Sequence, residues 1–258
     1  ARTPGHDINY IALTGALHAI GTKDAGPVPP LNLVGDFGGG ALYMAMGALA
    51  AYIDAQKAGQ GQVVDTSMVE GAASLMASAY GALASGAMKD ERESNRLDGG
   101  WHHYNVYETK DGKHVPNGSN EPQFYAVMLE TVGLDDADLP AQTDRDKWPE
   151  MRERLAQIFK TKTRAEWTEL MEQKEICFAP VLSMGEAIKH HHNVERGSFI
   201  EIGGVPQPGA APKFSRMPAP LPTAPAYAGE HTRAALAQWG VADSAIDALL
   251  KTGAARQR

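Results

Sequence analysis

Two short segments carry side chains that can exchange protons with a substrate. His6 and Asp7 stand side by side directly after Gly5, and a second carboxylate, Asp36, precedes Phe37 and a run of three glycines. Histidine titrates near neutral pH, and aspartate serves as an acid or base when its surroundings tune it. Both segments also lie where helices are expected to begin, and Asp is a favoured capping residue. These residues indicate either helix caps, the simpler interpretation, or proton-transfer groups exposed to a cleft.

The segment at Asp36 matches a tripeptide known from another enzyme class. Asp36-Phe37-Gly38 reproduces the magnesium-binding tripeptide of protein kinases, but the chain has no H-R-D-type catalytic loop and no strand lysine preceded by a glycine-rich loop. A kinase is therefore excluded. The three glycines that follow allow backbone N–H groups either to cap Asp36 or to approach an anionic oxygen closely.

A third acidic candidate lies later in the chain. Glu121 stands between Asn120 and Pro122. An acidic residue just before proline is a common helix opening. The sequence leaves a helix start and a site residue both open at this position.

The histidines and the single cysteine do not predict a metal site. His190, His191 and His192 are adjacent, so on a helix they point to different faces and cannot converge on one ion without partners. The pair at positions 102 and 103 and His114 have no recognisable ligand spacing. Cys177 lies between two apolar residues and is interpreted as a buried small hydrophobe.

Composition limits the classes of function. The chain has 258 residues, of which 43% are hydrophobic and 21% charged, values typical of one large or two smaller globular domains. A net charge of -7 provides no basic field for nucleic acid, whose binding relies on Lys and Arg at the phosphates. A phosphate-bearing small molecule remains compatible, because a few local groups can hold it.

Cysteine usage and apolar patterning predict a soluble protein of a reducing compartment. One cysteine excludes an intrachain disulfide, so the cytoplasm is the expected setting. The longest apolar stretch, residues 41–53, ends at Asp54, short of the about 20 residues that span a bilayer. The chain opens with neither an initiator Met nor a signal-peptide pattern, which suggests that it is part of a longer chain.

Apolar periodicity predicts the elements that must position these residues. We expect one helix from Asp7 to about Gly21, a second from about Asp36 to 59–61, a short strand at Gln62–Asp65 and a helix at Met68–Ala87. Beyond a charged linker at 88–100, we expect a hairpin at 104–116, helices at 122–132, 148–159 and 164–174, a strand at 180–182 and two helices within 230–250. The predicted domains are 1–90, 91–200 and a proline-rich return with terminal helices at 201–258.

Four segments together match one enzyme family in order and approximate spacing. They are Gly5-His6-Asp7-Ile8-Asn9-Tyr10, the run from Pro30 to Gly40, Gly61-Gln62-Val63-Val64-Asp65 and Glu121-Pro122-Gln123-Phe124-Tyr125. They closely resemble the α-methylacyl-CoA racemases, and the likeness continues through 148–150, 180–182 and 193–199. The resemblance covers nearly the whole chain.

The resemblance implies a fold and an assembly. These racemases belong to the family III CoA-transferase superfamily, whose α/β fold combines a Rossmann-like large domain with a small α/β domain in an interlocked homodimer. The chain would supply the later part of the large domain, the small domain and the returning tail. The opening segment of the family, which carries much of the CoA-binding surface, has no counterpart here.

The resemblance also implies an activity and its residues. His6 and Asp36 match the two catalytic acid/base residues, and Glu121 matches the acidic residue associated with the histidine. Gly5, His6, Asp7, Ile8, Asn9 and Tyr10 match the loop that lines the acyl-CoA site. The expected enzyme is an isomerase of fatty acid and lipid metabolism that inverts the α-carbon of 2-methyl-branched acyl-CoA thioesters through an enolate. No cofactor or metal is expected, since coenzyme A is part of the substrate.

Two alternatives remain open. In the transferases of this superfamily an aspartate attacks the thioester, and Asp7 matches it, although an aromatic residue usually precedes that aspartate and His6 does so here. A histidine there supplies the second base that racemisation requires, which favours the racemase. The other alternative is an inactive truncated chain that only dimerises or binds acyl-CoA.

Overall fold

The chain folds into two compact units that meet in sequence between Val181 and Leu182. A computed structural model describes residues 4–134 and 139–258. The predicted domain limits at 90/91 and 200/201 stay a prediction. All paired strands among the described residues form three separate antiparallel hairpins, so the fold is mixed α/β, with helices prevailing.

The first unit contains most of the elements. They are α1 Asp7–Ala12, α2 Ala16–Ala19, β1 Gly21–Thr22, β2 Gly26–Pro27, a π-helix at Leu33–Ala41, α3 Leu42–Ala58, α4 Met68–Leu75, α5 Ala77–Ala84, β3 Asn105–Glu108, β4 His114–Asn117, α6 Pro122–Val132, a 3-10 turn at Arg145–Lys147, α7 Trp148–Phe159 and α8 Arg164–Met171. The second unit contains α9 Met184–Ala187, α10 His191–Glu195, β5 Phe199–Ile202, β6 Val205–Pro208, α11 Thr232–Gln238 and α12 Asp243–Thr252.

The first predicted helix begins where expected but is interrupted. α1 starts at Asp7 and ends at Ala12, and Gly15, with a φ of +72°, breaks the helical path before α2. Gly21 does not cap a helix as predicted. It pairs with Pro27 in the β1–β2 hairpin instead, with φ +132°.

The second predicted helix begins earlier than expected. The π-helix starts at Leu33, so Asp36 lies inside its first turn, and α3 continues it to Ala58. Gly59 ends α3 with φ +73°, which confirms the predicted helix end. Single π-helical turns often occur at functional sites, because the wider turn displaces the side chains from regular helical positions.

Two predicted strands are wrong. Residues 62–65 are not paired with any strand in the described parts of the chain, and Val63 is 94% exposed. Residues 180–182 likewise form no strand, although the Val181 N–H donates to the His114 carbonyl beside β4 (3.2 Å). A β-propensity pattern becomes a strand only where a partner backbone runs alongside it.

The larger core lies between the β3–β4 hairpin and α6 to α8. On α7 the buried side chains recur every three or four residues, as an amphipathic helix requires: Trp148, Met151, Leu155 and Phe159. The start of α8 is fixed by a capping box, in which Thr163 N–H donates to Glu166 (2.7 Å) and Glu166 N–H donates to the Thr163 hydroxyl (3.3 Å). Cys177 lies beside this core but is exposed, with φ +59°, so its interpretation as a buried residue is wrong.

One continuous helical stretch, Leu33–Ala58, is long and apolar enough to cross a bilayer by length and composition alone. The uninterrupted apolar run within it, residues 41–53, ends at Asp54, and the helix continues to Ala58. The expectation from the sequence concerns only this uninterrupted run, which is shorter than a bilayer span, whereas the whole helix is longer. Core helices of soluble proteins pass the same test, so a membrane span does not follow from it.

His102 and His103 are buried beside this core, 1% and 0% exposed. Burial lowers the pKa of His102 to about 4. Burial, with the charges of His102 and Arg96, lowers the pKa of His103 to about 3. His102 Nε2 lies 2.8 Å from the Tyr125 hydroxyl, while neither ring nitrogen of His103 has a partner among the described residues. The fold thus holds both imidazoles neutral.

We expect protonation of His102 and His103 to destabilise this core at a higher pH than the one at which the carboxylates of the protein become protonated. An unfolded histidine has a pKa of about 6.5, so the stabilisation is complete above that pH and is lost as pH falls toward the folded values of about 4 and 3. By about pH 5 each histidine should cost about 2 kcal/mol in the free energy of unfolding. Urea titrations followed by circular dichroism at several pH values measure this loss. The variant His103→Phe should remove about half of it, and an unchanged pH slope would contradict the assignment.

Candidate functional site

His6 is held at the start of α1 by its own backbone. Its N–H donates to Asn9 Oδ1 (3.0 Å), and its carbonyl accepts from Asn9 N–H (2.9 Å). Extended φ and ψ angles of -122° and 176° place it just outside the helix. The imidazole is exposed, so it is free to meet a substrate.

Asp36 lies in the π-helix and is hydrogen-bonded to α1 through its backbone. Its backbone N–H donates to Asp7 Oδ2 (2.7 Å). Its own carboxylate accepts from Asn32 Nδ2 (3.1 Å). The structure therefore joins the two segments singled out from the sequence, since the residue after His6 binds the backbone of Asp36.

The packing beneath Asp36 depends on two glycines. A Cβ on Gly71 of α4 would overlap the Gly39 carbonyl oxygen, and a Cβ on Gly39 would lie 2.6 Å from the Ala72 nitrogen. The π-helix and α4 therefore touch backbone to backbone. Ile11, Ala16 and Ala72 form the small buried core beside this contact. This close approach fixes the π-helix against α1 and α4.

The segment predicted as the substrate loop, residues 5–10, forms the first turn of α1 from Asp7 onward and has a buried and an exposed part. Asp7 is buried, whereas His6, Ile8 and Asn9 are exposed. The Tyr10 ring lies against Gly5, where a Cβ would come within 3.1 Å of it. One side of the loop thus faces solvent while Asp7 anchors the other.

Glu121 lies apart from these residues in its recorded contacts. It precedes Pro122 as the N-cap of α6 and is exposed. Partial burial of the Cys177 thiol and, to a smaller extent, the negative charge of Glu121 raise the pKa of that thiol. Among the described residues no hydrogen bond or ion pair joins Glu121 to His6. Its association with His6 stays a prediction, as do the roles of the other site residues.

A cavity of about 240 Å³ opens between α2 and α5. Its walls include Met76, Tyr80 and Leu83, and its rim carries His18 and Asp90, whose Nε2 and Oδ1 lie 3.6 Å apart. None of the predicted site residues lines it. It is an apolar pocket with a polar rim.

Two residues of the site, Asn32 and Gly35, were not predicted from the sequence. Asn32 stands four residues before Asp36, a spacing that brings side chains together on a helix and could have indicated their contact. Gly35 leaves room for Asp7, and a glycine inside a helical pattern is a signal for close approach. The surrounding run of glycines concealed that signal.

Two similar proteins of known name are both α-methylacyl-CoA racemases. An α-methylacyl-CoA racemase from Mus musculus is 43% identical over 248 residues, which cover 95% of this chain and 65% of that protein. The Homo sapiens α-methylacyl-CoA racemase is 41% identical over 249 residues, which cover 93% of this chain and 63% of that protein. The chain thus spans a little under two thirds of the length of these relatives.

A solved structure shares the fold. A CaiB/BaiF family protein from Brucella suis superposes with a TM-score of 0.74 over 91% of this chain and 62% of the other, at 18% identity. Residues 1–232 match the sequence profile of CoA-transferase family III. The predicted fold class is confirmed, and the chain belongs to CoA-transferase family III.

Proposed function

We propose that the protein inverts the α-carbon of 2-methyl-branched acyl-CoA thioesters, as an α-methylacyl-CoA racemase does. The observation that carries the proposal is the hydrogen bond from Asp36 N–H to Asp7 Oδ2, because it ties the second acid/base candidate to the segment that presents His6. The identity of 41–43% to two racemases supports the same reaction.

The reaction needs two groups on opposite faces of one carbon. One base removes the α-proton, and the electron pair left behind delocalises onto the thioester oxygen as an enolate. The other group then donates a proton to the opposite face, which inverts the centre. His6 and Asp36 are the proposed pair, each acting as base for one enantiomer and as acid for the other.

The enolate oxygen requires preorganised donors, because a thioester α-proton is a weak acid. The first N–H groups of a helix have no intrahelical acceptor, which makes those of Asp7 and Ile8 in α1 suitable. The Phe37 N–H already donates to the Asn32 carbonyl (3.3 Å). We therefore assign the enolate oxygen to the start of α1 rather than to the glycine run. The scheme uses only groups of the chain and the CoA ester.

The CoA-transferase alternative is less compatible with the geometry. It requires a carboxylate oxygen of Asp7 to attack the thioester carbon. Asp7 is 7% exposed, and its Oδ2 already accepts from the Asp36 N–H. Oδ1 has no hydrogen-bond partner among the described residues but is buried, so attack through it would require the side chain to leave its packing around Gly35.

Setting and assembly belong to the same proposal. We place the enzyme in fatty acid metabolism in a reducing interior such as the cytoplasm, in keeping with its single cysteine. The homodimer of the related racemases is proposed as well. In support, α3 exposes several large apolar side chains: Leu42, Met44, Met46, Leu49, Tyr52 and Ile53.

The proposal is tested with one enantiomer of a 2-methylacyl-CoA in deuterium oxide. We expect deuterium to enter at the α-carbon while optical purity is lost. CoA transfer to an added carboxylate without inversion would replace the proposal by the transferase. Exchange and transfer both absent from the full natural protein would leave the inactive alternative.

A further inference from the structure

Asp7 makes the contact that joins the two halves of the candidate site. Its carboxylate is 7% exposed, and Oδ2 accepts from the Asp36 N–H at 2.7 Å. Oδ1 is buried without a hydrogen-bond partner among the described residues. A carboxylate is costly to bury unless hydrogen bonds compensate for lost water. A structural or catalytic role of the hydrogen bond to Asp36 would explain why the Asp7 carboxylate is buried despite this cost.

Gly35, the residue before Asp36, leaves the space that the Asp7 carboxylate occupies. A Cβ on Gly35 would overlap Asp7 Oδ2 and lie 2.7 Å from its Cγ. It would also come within 3.1 Å of the Ile11 side chain. Only glycine at this position lets the carboxylate reach the Asp36 N–H. Two residues from separate segments thus specify one hydrogen bond.

Backbone and side chain of Asp36 are held by different partners. Asp7 binds the backbone N–H, while Asn32 Nδ2 donates to Oδ2 of the Asp36 carboxylate (3.1 Å). Asp7 is also the residue that directly follows His6. This bond therefore helps to set the position of Asp36 relative to the segment that carries His6, together with the backbone packing of the π-helix against α4.

We propose that Asp7 is a positioning residue that sets Asp36 relative to His6, and that it neither attacks the substrate nor takes its proton. The inference rests on the proposed racemase function and deepens it. Because positioning needs only a hydrogen-bond acceptor, an amide oxygen can replace the carboxylate. A nucleophile, in contrast, needs the carboxylate itself.

The test compares three variants in the full natural protein. Asp7→Asn keeps an acceptor oxygen and removes the charge, Asp7→Ala removes the acceptor, and Gly35→Ala pushes the carboxylate away without altering Asp7. Asp24→Ala, at an exposed position on the β1–β2 turn, is the control. Circular dichroism establishes that each variant is folded.

We expect Asp7→Asn to invert substrate within about threefold of the unmodified protein. Asp7→Ala and Gly35→Ala should lose about 10- to 100-fold, the cost of a misplaced catalytic group. Both should still exchange the α-proton, without inversion, of the enantiomer that His6 deprotonates. A general loss of structure would lower exchange of both enantiomers equally and would overturn the inference.

Other outcomes separate this inference from the proposed function. If Asp7→Asn is as inactive as Asp7→Ala and the unmodified protein transfers CoA, Asp7 is a nucleophile and both fail. If the unmodified protein shows no reaction, the proposed function fails. The positioning role of Asp7 is then tested by the rate of hydrogen exchange at the Asp36 amide. The Asp36 amide should exchange faster in Asp7→Ala and Gly35→Ala but not in Asp7→Asn; equal protection in all variants would overturn the inference.

Discussion

Replacing His6 by alanine should lower the rate of inversion by about 10²- to 10⁴-fold, the usual contribution of a positioned acid or base. His6 is exposed at the start of α1, and the hydrogen bonds of its backbone N–H to Asn9 Oδ1 and of its carbonyl to the Asn9 N–H do not need the imidazole. Inversion requires both groups, whereas exchange requires one. The enantiomer that Asp36 deprotonates should therefore still exchange its α-proton for deuterium, with retention of configuration.

The control for this prediction is His114→Ala, which removes an exposed imidazole from β4. We expect that variant to retain full activity. Inversion that continues at the normal rate in His6→Ala would remove His6 from the mechanism. Loss of exchange for both enantiomers would show that His6 does more than transfer one proton.

Replacing Gly71 by alanine should destabilise the protein by about 3 kcal/mol or more, a large effect for one added methyl group. The new Cβ would meet the Gly39 carbonyl, which is backbone and cannot rotate away as a side chain would. α4 and the π-helix would have to separate, which would also displace Asp36. Urea titration measures the first effect, and the rate of inversion measures the second.

Gly81→Ala is the matched control, because Gly81 lies inside α5 with no atom within 4 Å of an added Cβ. There alanine should stabilise the helix by about 0.5 to 1 kcal/mol. Equal stabilities of the two variants would contradict the close packing described at Gly71.

Most elements could be predicted from the sequence because their signals are local. The hairpin at β3–β4 follows from Asp111-Gly112 between β-forming residues, and α6, α7 and α12 follow from apolar periodicity. The failures depend on long-range partners. Residues 62–65 have a strand pattern without a paired strand, and the interruption at Gly15 reflects a left-handed backbone that periodicity does not reveal.

The candidate site shows the same division. His6 and Asp36 could be singled out by residue type, because acid/base groups beside glycines are unusual enough to notice. The bond between Asp7 and Asp36 joins residues 29 positions apart, and no local pattern predicts it. The family resemblance supplied the pairing of His6 with Asp36, and the structure shows a physical connection between their segments.

The distribution of aromatic side chains between the cores has an optical consequence. Of the four tryptophans, Trp167 is buried in the core of α6 to α8 and Trp148 is buried on α7. Trp101 lies edge-on to Trp148, with ring centroids 5.3 Å apart, and Trp239 is 89% exposed in the second unit. The small core around Ile11 contains none. Trp239 is in contact with water whether folded or not, so a change in intrinsic fluorescence during unfolding reports the opening of the core at α6 to α8. Separation of α1 from the π-helix would leave that emission unchanged.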